Sequence, residues 1–318
     1  MNWNGKQFLD DCLGSLRRQT FRDFETILVD NGSSDSSSAY VRSNYPEVSL
    51  LALNDNRGFT GGNIAGYELA SGNIIVLLNN DTEADPAWLE EIHRASILHP
   101  QAGSFASKMM YFDARNRIEN CGFDMGIFGA TLERGRDEPD SPDWNASHEV
   151  FGACGGAVAY RRSMLARIGF LDPDFFMVYE DVDLGFRAQL HGYTCVYIPT
   201  AIVFHRYRAT LGKGSARQVF YSQRNIEFVY FKNMPLGLML SSLPQRLIYE
   251  IGAAFHSIRQ GSTGPFVKSK LNAIRHLPSV WRKRRQVQLN KTADSAYIRS
   301  LMKPVFAAKW RKLRSSLG

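Results

Sequence analysis

Three carboxylates fall within four residues, Glu180, Asp181 and Asp183, inside the apolar run Phe176-Met-Val-Tyr-Glu-Asp-Val-Asp-Leu-Gly-Phe-Arg187. A carboxylate at the mouth of an apolar pocket can accept the proton of an attacking hydroxyl, which is what general base catalysis requires. If the run is helical, Glu180, Asp183 and Arg187 share one face while Asp181 points elsewhere. A surface network of Glu, Asp and Arg is the alternative reading. A second group, Asn79-Asn80-Asp81, follows the apolar run Ile74–Leu78. A carboxylate there can hold Mg²⁺ or Mn²⁺, which prefer oxygen ligands and neutralise a departing diphosphate. Asp81 and Thr82 could equally cap a helix starting near Pro86. The stretch Asn56-Arg-Gly-Phe-Thr-Gly-Gly-Asn63 lets backbone approach a ligand closely. It is neither GxGxxG nor GxxxxGK[ST], and an ordinary turn explains it as well. His205 closes a strand-like run, Thr194 to Phe204, where it could bind a metal or a diphosphate.

These groups need elements to carry them. Thr26–Val29, Val48–Leu53 and Ile74–Leu78 read as short buried strands, each ending in a polar cluster. Helical patterns over Ser36–Asn44 and Asn63–Ala70 separate them. Such alternation predicts an α/β fold with a mostly parallel sheet flanked by helices, and in such sheets ligands bind beyond the carboxyl ends of the strands. All three polar clusters should therefore converge. From Ser104 to Glu149 the pattern is irregular, Arg161–Ile168 reads as a helix, and the sequence turns helical after Gln218.

At 318 residues with 44% hydrophobic and 22% charged residues, the chain can bury a large core. The four cysteines, Cys12, Cys121, Cys154 and Cys195, are widely spaced and predict unpaired thiols in a reducing compartment. With no apolar run of about 18 residues and no leader pattern, a cytoplasmic location is expected, at the inner face of the cell membrane. From Arg259 onward, fifteen Lys and Arg face the single acid Asp294, so the overall +7 conceals a strongly basic tail and an acidic remainder. Basic clusters at Arg282–Arg285 and Lys309–Arg314, together with the apolar Leu236–Leu240 and Leu247–Phe255, fit an anionic lipid surface. A helical face packed on the rest of the chain or on a second subunit is the alternative, which leaves a homo-oligomer open.

Taken in order, Asn2-Trp-Asn-Gly5, Val29-Asp-Asn-Gly-Ser-Ser-Asp35, Asn56–Asn63, Leu78-Asn-Asn-Asp-Thr82, Gly155-Gly156 with Arg161, Tyr179-Glu-Asp-Val-Asp-Leu184 and His205 resemble the inverting family 2 glycosyltransferases. The likeness is nearest to the bacterial rhamnosyltransferase-like branch. It covers residues 1–235, leaving 236–318 as a helical, basic region. The resemblance implies a GT-A fold, a nucleoside-diphosphate sugar of dTDP or UDP type, a divalent metal, Mg²⁺ or Mn²⁺, and a glycan or lipid-linked acceptor. It implies donor binding by Asn4, Asp30, Gly32, Arg57, Gly58, Asn63, Asn79 and Asn80. Asp81 and His205 would hold the metal. Asp181, paired with Glu180, would be the catalytic base, and Gly155, Gly156 and Asp183 would border the acceptor.

Two departures accompany the likeness. Asn79 replaces the first acid of the family's Asp-X-Asp metal motif. The family's first buried strand, which precedes the Asn2–Gly5 motif, is missing here, and we expect lower stability and activity in its absence. Two other readings compete: a non-catalytic relative that binds sugar nucleotides, and a nucleic-acid-binding protein acting through its basic tail. Confinement of positive charge to the tail, beside an acidic motif-bearing region, argues against nucleic acid.

Overall fold

The computed structural model describes residues 1–206 and 215–305. The first half alternates helix and strand: α1 (Leu9–Arg17), β1 (Ile27–Asn31), α2 (Ser37–Asn44), β2 (Ser49–Leu53), α3 (Gly58–Leu69), β3 (Ile74–Leu78), β4 (Thr82–Ala84) and α4 (Trp88–Leu98). Strands then dominate: β5 (Ala102–Tyr111), β6 (Ala114–Asn120), β7 (Phe123–Gly126), β8 (Thr131–Glu133), β9 (His148–Val150) and β10 (Ala157–Arg161). There follow α5 (Arg162–Ile168), α6 (Glu180–Leu190), β11 (Thr194–His205) and α7 (Ala216–Asn233). The chain closes with α8 (Leu236–Ser241), α9 (Leu243–Arg259), α10 (Thr263–Asn290), α11 (Ser295–Leu301) and β12 (Met302–Lys303).

The architecture is α/β, a central sheet between helices with a helical C-terminal region. The parallel alternation expected from the sequence holds for β1 beside β2 and for β5 beside β11. The large sheet is nevertheless mixed, in the order β3-β10-β5-β11-β4 with β6 and β9 at its margins, because β10 runs antiparallel to both β3 and β5. Between β5 and β10 no helix long enough for a parallel crossover intervenes, so returning strands pair antiparallel. The irregular stretch 104–149 is thus strand-rich. Its longest strand, β5, is buried on both faces, which erases the alternation that marks a half-buried strand. It even buries Lys108, which pairs with Asp140 and Asn145.

The glycine-rich Gly58–Gly62 is the first turn of α3, not a loop before it. At Gly58 the backbone has φ +72°, and a Cβ would sit 2.3 Å from the Phe176 carbonyl oxygen, so this position takes no side chain.

The C-terminal helices are not a separate unit. Phe123, Met125, Phe151 and Phe186 share one core with Ile226, Tyr230, Met239, Ala273, Ile298 and Met302. β12 extends the small sheet by pairing in parallel with β7. Within α10, Lys283 turns inward to Asp172 and Asp174, and Arg284 donates to the carbonyls of Phe231 and Met234. Half of the basic cluster expected at a lipid surface is therefore used internally. The second cluster, Lys309–Arg314, lies outside the described residues.

Between β1 and β3 lies an apolar cavity of about 540 Å³, bordered by Ile27–Val29 and Ile74–Leu78 and roofed by side chains of α1, α3 and α4. The two-stranded sheet of β1 and β2 is thereby separate from the large one.

Candidate active site

The three polar clusters at the strand ends do meet. Asn2 is the hub: its side chain donates to Asp30 and Ser33, and it accepts from Asn80 at 2.7 Å. The Asn4 carboxamide accepts from the Ser34 amide at 2.8 Å, tying the first motif to the loop after β1. A Cβ on Gly5 would come within 2.0 Å of the Asn80 side-chain nitrogen, so a side chain there would displace the Asn80–Asn2 bond. Asn31 links the next pair of elements, donating to the Gly58 carbonyl at 2.9 Å and accepting from the Arg57 amide at 3.0 Å. Gly32, at φ +74°, passes against the backbone of Asp55. Two expected donor contacts are already engaged within the protein. Asp30 is buried and accepts from Ser33, Ser38 and Asn2, while Asn63 donates to the Phe59 carbonyl at 2.8 Å. Arg57 stays exposed beside Asp55.

Asp181 lies at the start of α6, facing the glycine pair. The Gly155 amide donates to its Oδ2 at 2.7 Å and the Val182 amide to its Oδ1 at 2.7 Å. A Cβ on Gly155 would touch Asp181, and Gly156 accepts from the Asn79 amide at 2.9 Å. Base candidate, glycine pair and the end of β3 thus form one continuous surface. Burial raises the Asp181 carboxyl above its ordinary value of 3.8, and the two backbone donors only partly offset this. Its neighbour Glu180 is buried, with one oxygen lacking a hydrogen-bond partner, and burial followed by the Asp181 charge pushes it well above the ordinary 4.5. Burial thus disfavours a charge on both carboxyls, but only Asp181 has two backbone amides to stabilise its charged form.

Asp183 corrects the sequence reading. It does not border an acceptor: it is wholly buried, held by Arg187 at 2.9 Å, Lys232 at 2.9 Å and Asn233 at 2.8 Å. Burial alone would raise its carboxyl, but Lys232 and Arg187 outweigh that and hold it below the usual carboxylate range. The network of acids and Arg foreseen here exists, as an interior one. Lys232 carries it on to Asp172, and Lys283 bridges Asp172 and Asp174.

The turn leading into α6 holds three non-glycine residues at positive φ: Phe176 (62°), Val178 (64°) and Tyr179 (74°). Such backbone persists only where surroundings enforce it. Asn225 of α7 does so, donating to the carbonyls of Phe175, Met177 and Val178 at 3.0, 2.9 and 2.6 Å. Arg224 adds bonds to Asp174 and Phe175. Sequence reasoning missed both residues, because nothing in the local pattern of α7 announces partners some fifty residues upstream.

Asp81 and His205 come together as expected, with His205 Nε2 3.2 Å from Asp81 Oδ1. A third residue, Glu119 on β6, accepts from His205 Nδ1 at 2.7 Å and was invisible in the sequence. Burial disfavours a charged imidazole, but the hydrogen bonds and charges of Asp81 and Glu119 outweigh it and push His205 up to about 10. Among the described residues no set of three or more His, Cys, Asp or Glu is arranged to hold a metal ion by itself. The Asp81 carboxylate and His205 Nε2 face each other, with Glu119 fixing the far ring nitrogen, and the pair would suit a divalent ion that displaced the Nε2 proton and took its remaining ligands from diphosphate and water.

Residues 2–169 match the family described as Glycosyl transferase family 2. The N-acetylglucosaminyl-diphospho-decaprenol L-rhamnosyltransferase of Mycobacterium tuberculosis is 27% identical over 232 residues, 65% of this chain and 75% of the relative. The uncharacterized glycosyltransferase YwdF of Bacillus subtilis is 31% identical over 213 residues, 65% of this chain and 72% of the relative. Among solved structures, S. aureus TarS 1-349 in complex with UDP-GlcNAc matches with a TM-score of 0.57 at 14% identity, covering 91% of this chain and 85% of that one. GalNAc-T7 with UDP, GalNAc and Mn²⁺ matches with a TM-score of 0.57 at 15% identity, covering 72% of this chain and 46% of that one. The matched span contains the Asn2–Gly5, Asn56–Asn63, Asn79–Asp81 and Gly155–Gly156 groups just described, and the fold around them is GT-A: the chain belongs to glycosyl transferase family 2 and is a glycosyltransferase.

Proposed function

We propose that this enzyme transfers one sugar, rhamnose foremost, from a dTDP- or UDP-type sugar nucleotide to a lipid-linked or cell-surface glycan acceptor, with inversion at the anomeric carbon. The observation that carries the reading is the placement of Asp181, whose carboxylate is oriented by the Gly155 and Val182 amides beside the end of β3. In this mechanism Asp181 takes the proton of the acceptor hydroxyl as its oxygen bonds to the anomeric carbon, while the bond to the diphosphate breaks on the opposite face. The donor lies along the surface formed by Asn4, Gly32, Arg57, Gly58, Asn79 and Asn80. Asp81 and His205 would hold a divalent ion, which supplies charge neutralisation at the departing diphosphate. Glu119 acts as a positioning residue, keeping His205 Nε2 turned toward that ion.

Rhamnose and a lipid-linked acceptor are supported by the likeness to the mycobacterial L-rhamnosyltransferase. A membrane-side acceptor is supported further by the exposed apolar residues along α8 to α10, among them Leu240, Leu247, Ile251, Phe255 and Leu271. No described helix is long and apolar enough to cross a membrane. Contact would therefore be peripheral, consistent with the inner-face location expected from the sequence.

The test is release of nucleoside diphosphate from a panel of sugar nucleotides, with Mg²⁺, Mn²⁺ or chelator, comparing the wild type with Asp181→Asn. We expect turnover of one donor, lost in the variant while donor binding persists. Donor binding without turnover by the wild type, with lipid-linked and soluble acceptors supplied, would instead make this a non-catalytic sugar-nucleotide binder.

A further inference from the structure

Gly155, beside the proposed base, is a glycine that its own surroundings do not demand. Its φ lies outside the left-handed region, and a Cβ built on it would meet Asp181 Oδ2 at 3.4 Å and Phe59 Cε1 at 3.6 Å, both ordinary van der Waals contacts. Gly58 differs: a Cβ there would strike the Phe176 carbonyl oxygen at 2.3 Å. Since neither backbone conformation nor packing asks for glycine at 155, the space it leaves is open to a substrate atom. That space lies between the carboxylate proposed to take the proton and an aromatic ring.

The ring is positioned by backbone bonds and not by core packing. Phe59 is the second residue of α3, where Asn63 donates to its carbonyl at 2.8 Å and the next amide, that of Thr60, donates to the Phe176 carbonyl at 3.0 Å. The side chain is half-buried and belongs to none of the apolar core clusters among the described residues. Along the glycine pair the wall stays apolar: a Cβ on Gly156 would come 2.9 Å from Met109 Cε and 3.7 Å from Cys154 Sγ. The polar side chain that meets Gly156 is Asn79, at 3.4 Å, on the β3 side where the diphosphate is proposed to lie.

On the transferase reading above, on which this inference rests, the reacting sugar lies across the glycine pair. Its anomeric carbon must be reached from one face by a hydroxyl bonded to Asp181 and released on the other by the diphosphate. We propose that Phe59 and the space at Gly155 form the wall of the sugar site, and that this wall selects a 6-deoxy sugar over the parent sugar bearing a hydroxyl on C6. The methyl group of a 6-deoxy sugar packs on the ring, whereas a hydroxyl there meets no hydrogen-bond partner and is desolvated without compensation. An apolar wall rejects an added hydroxyl by about 100-fold, which sets the scale of the selection.

The experiment uses matched sugars that differ only in the hydroxyl on C6, L-rhamnose with L-mannose and 6-deoxyglucose with glucose, each carried on dTDP and on UDP. Nucleoside diphosphate release is measured beside calorimetric binding of the sugar nucleotides and of dTDP and UDP alone. The wild type is expected to favour the deoxy member by about 100-fold in kcat/KM. Phe59→Asn should shrink that preference below about tenfold, and Phe59→Leu should keep it. Gly155→Ala, which fills the space with one methyl group, should weaken binding of the sugar nucleotides about tenfold while the free nucleoside diphosphate binds as before, a split that loss of folding would not produce. A wild type indifferent to the C6 hydroxyl would overturn the proposal. So would an undiminished preference in Phe59→Asn, or unaltered sugar-nucleotide binding in Gly155→Ala. Any of these with nucleoside diphosphate still bound leaves the donor reading standing, whereas a wild type that bound neither dTDP nor UDP would sink both.

Discussion

At Asp181, the proposed base, two opposing influences set its readiness to accept a proton. Burial lifts its carboxyl, and the Gly155 and Val182 amides pull it back, with the balance above the ordinary value. A base works only when deprotonated, so kcat/KM should fall as pH drops through that raised value, placing the acid limb above pH 3.8. Asp181→Asn should abolish the limb and lower kcat by about 10²–10⁴-fold; a variant that kept the wild-type profile would assign the limb to another group. Glu119 works at one remove, through the imidazole it orients. Glu119→Gln should weaken Mn²⁺ binding in the presence of nucleoside diphosphate by about 10–100-fold, read by direct metal titration, with circular dichroism unchanged. Unaltered Mn²⁺ affinity would reduce Glu119 to a structural partner of His205.

Helix α6, which carries the proposed base, is fixed on one side by buried charges and at its start by a strained turn. Asp183→Asn leaves Lys232 and Arg187 without their shared buried carboxylate and should cost about 3–5 kcal/mol, measured by urea unfolding. Asp172 and Asp183 both have carboxyls held below their ordinary range, for Asp172 because Lys232 and Lys283 overcome its burial. Their contribution is therefore complete above the ordinary carboxylate pKa and is lost as pH falls through the depressed values. Asn225→Ala removes three bonds to the positive-φ turn and should lower kcat more than donor affinity, because the turn leads directly into Asp181 and meets the Gly58–Thr60 segment through Phe176. The motif strings were legible because each is local: a strand end, a polar cluster, a glycine. What was not legible is long-range. Asp183 read as an acid at the acceptor border because Lys232 and Asn233, which enclose it, lie on another helix, and Glu119 gave no signal because His205 meets it from a distant strand. The mixed sheet was hidden by β5, whose two buried faces carry no alternation.

Over the whole molecule, α9 presents an exposed apolar stripe at helical spacing, Leu247, Ile251, Phe255 and Ile258, which a water-facing helix of this amphipathic kind would not retain without a partner. Leu247→Asp with Phe255→Asp should reduce co-sedimentation with anionic phospholipid vesicles at least about tenfold while leaving turnover of a soluble acceptor intact. Unchanged sedimentation would assign the face to a protein partner. The pairing of β12 with β7 has a consequence for synthesis. Met302 and Met125 lie far apart in sequence, yet Met302 and Ile298 complete the core in which Phe186 of α6 is packed. A chain emerging from the ribosome at about 5–20 residues per second can pair β1 with β2 early, but it cannot finish seating α6 until the codons for Ile298 and Met302 have been read. Premature termination ahead of residue 302 would therefore silence the enzyme by leaving the core open, with every motif residue already made.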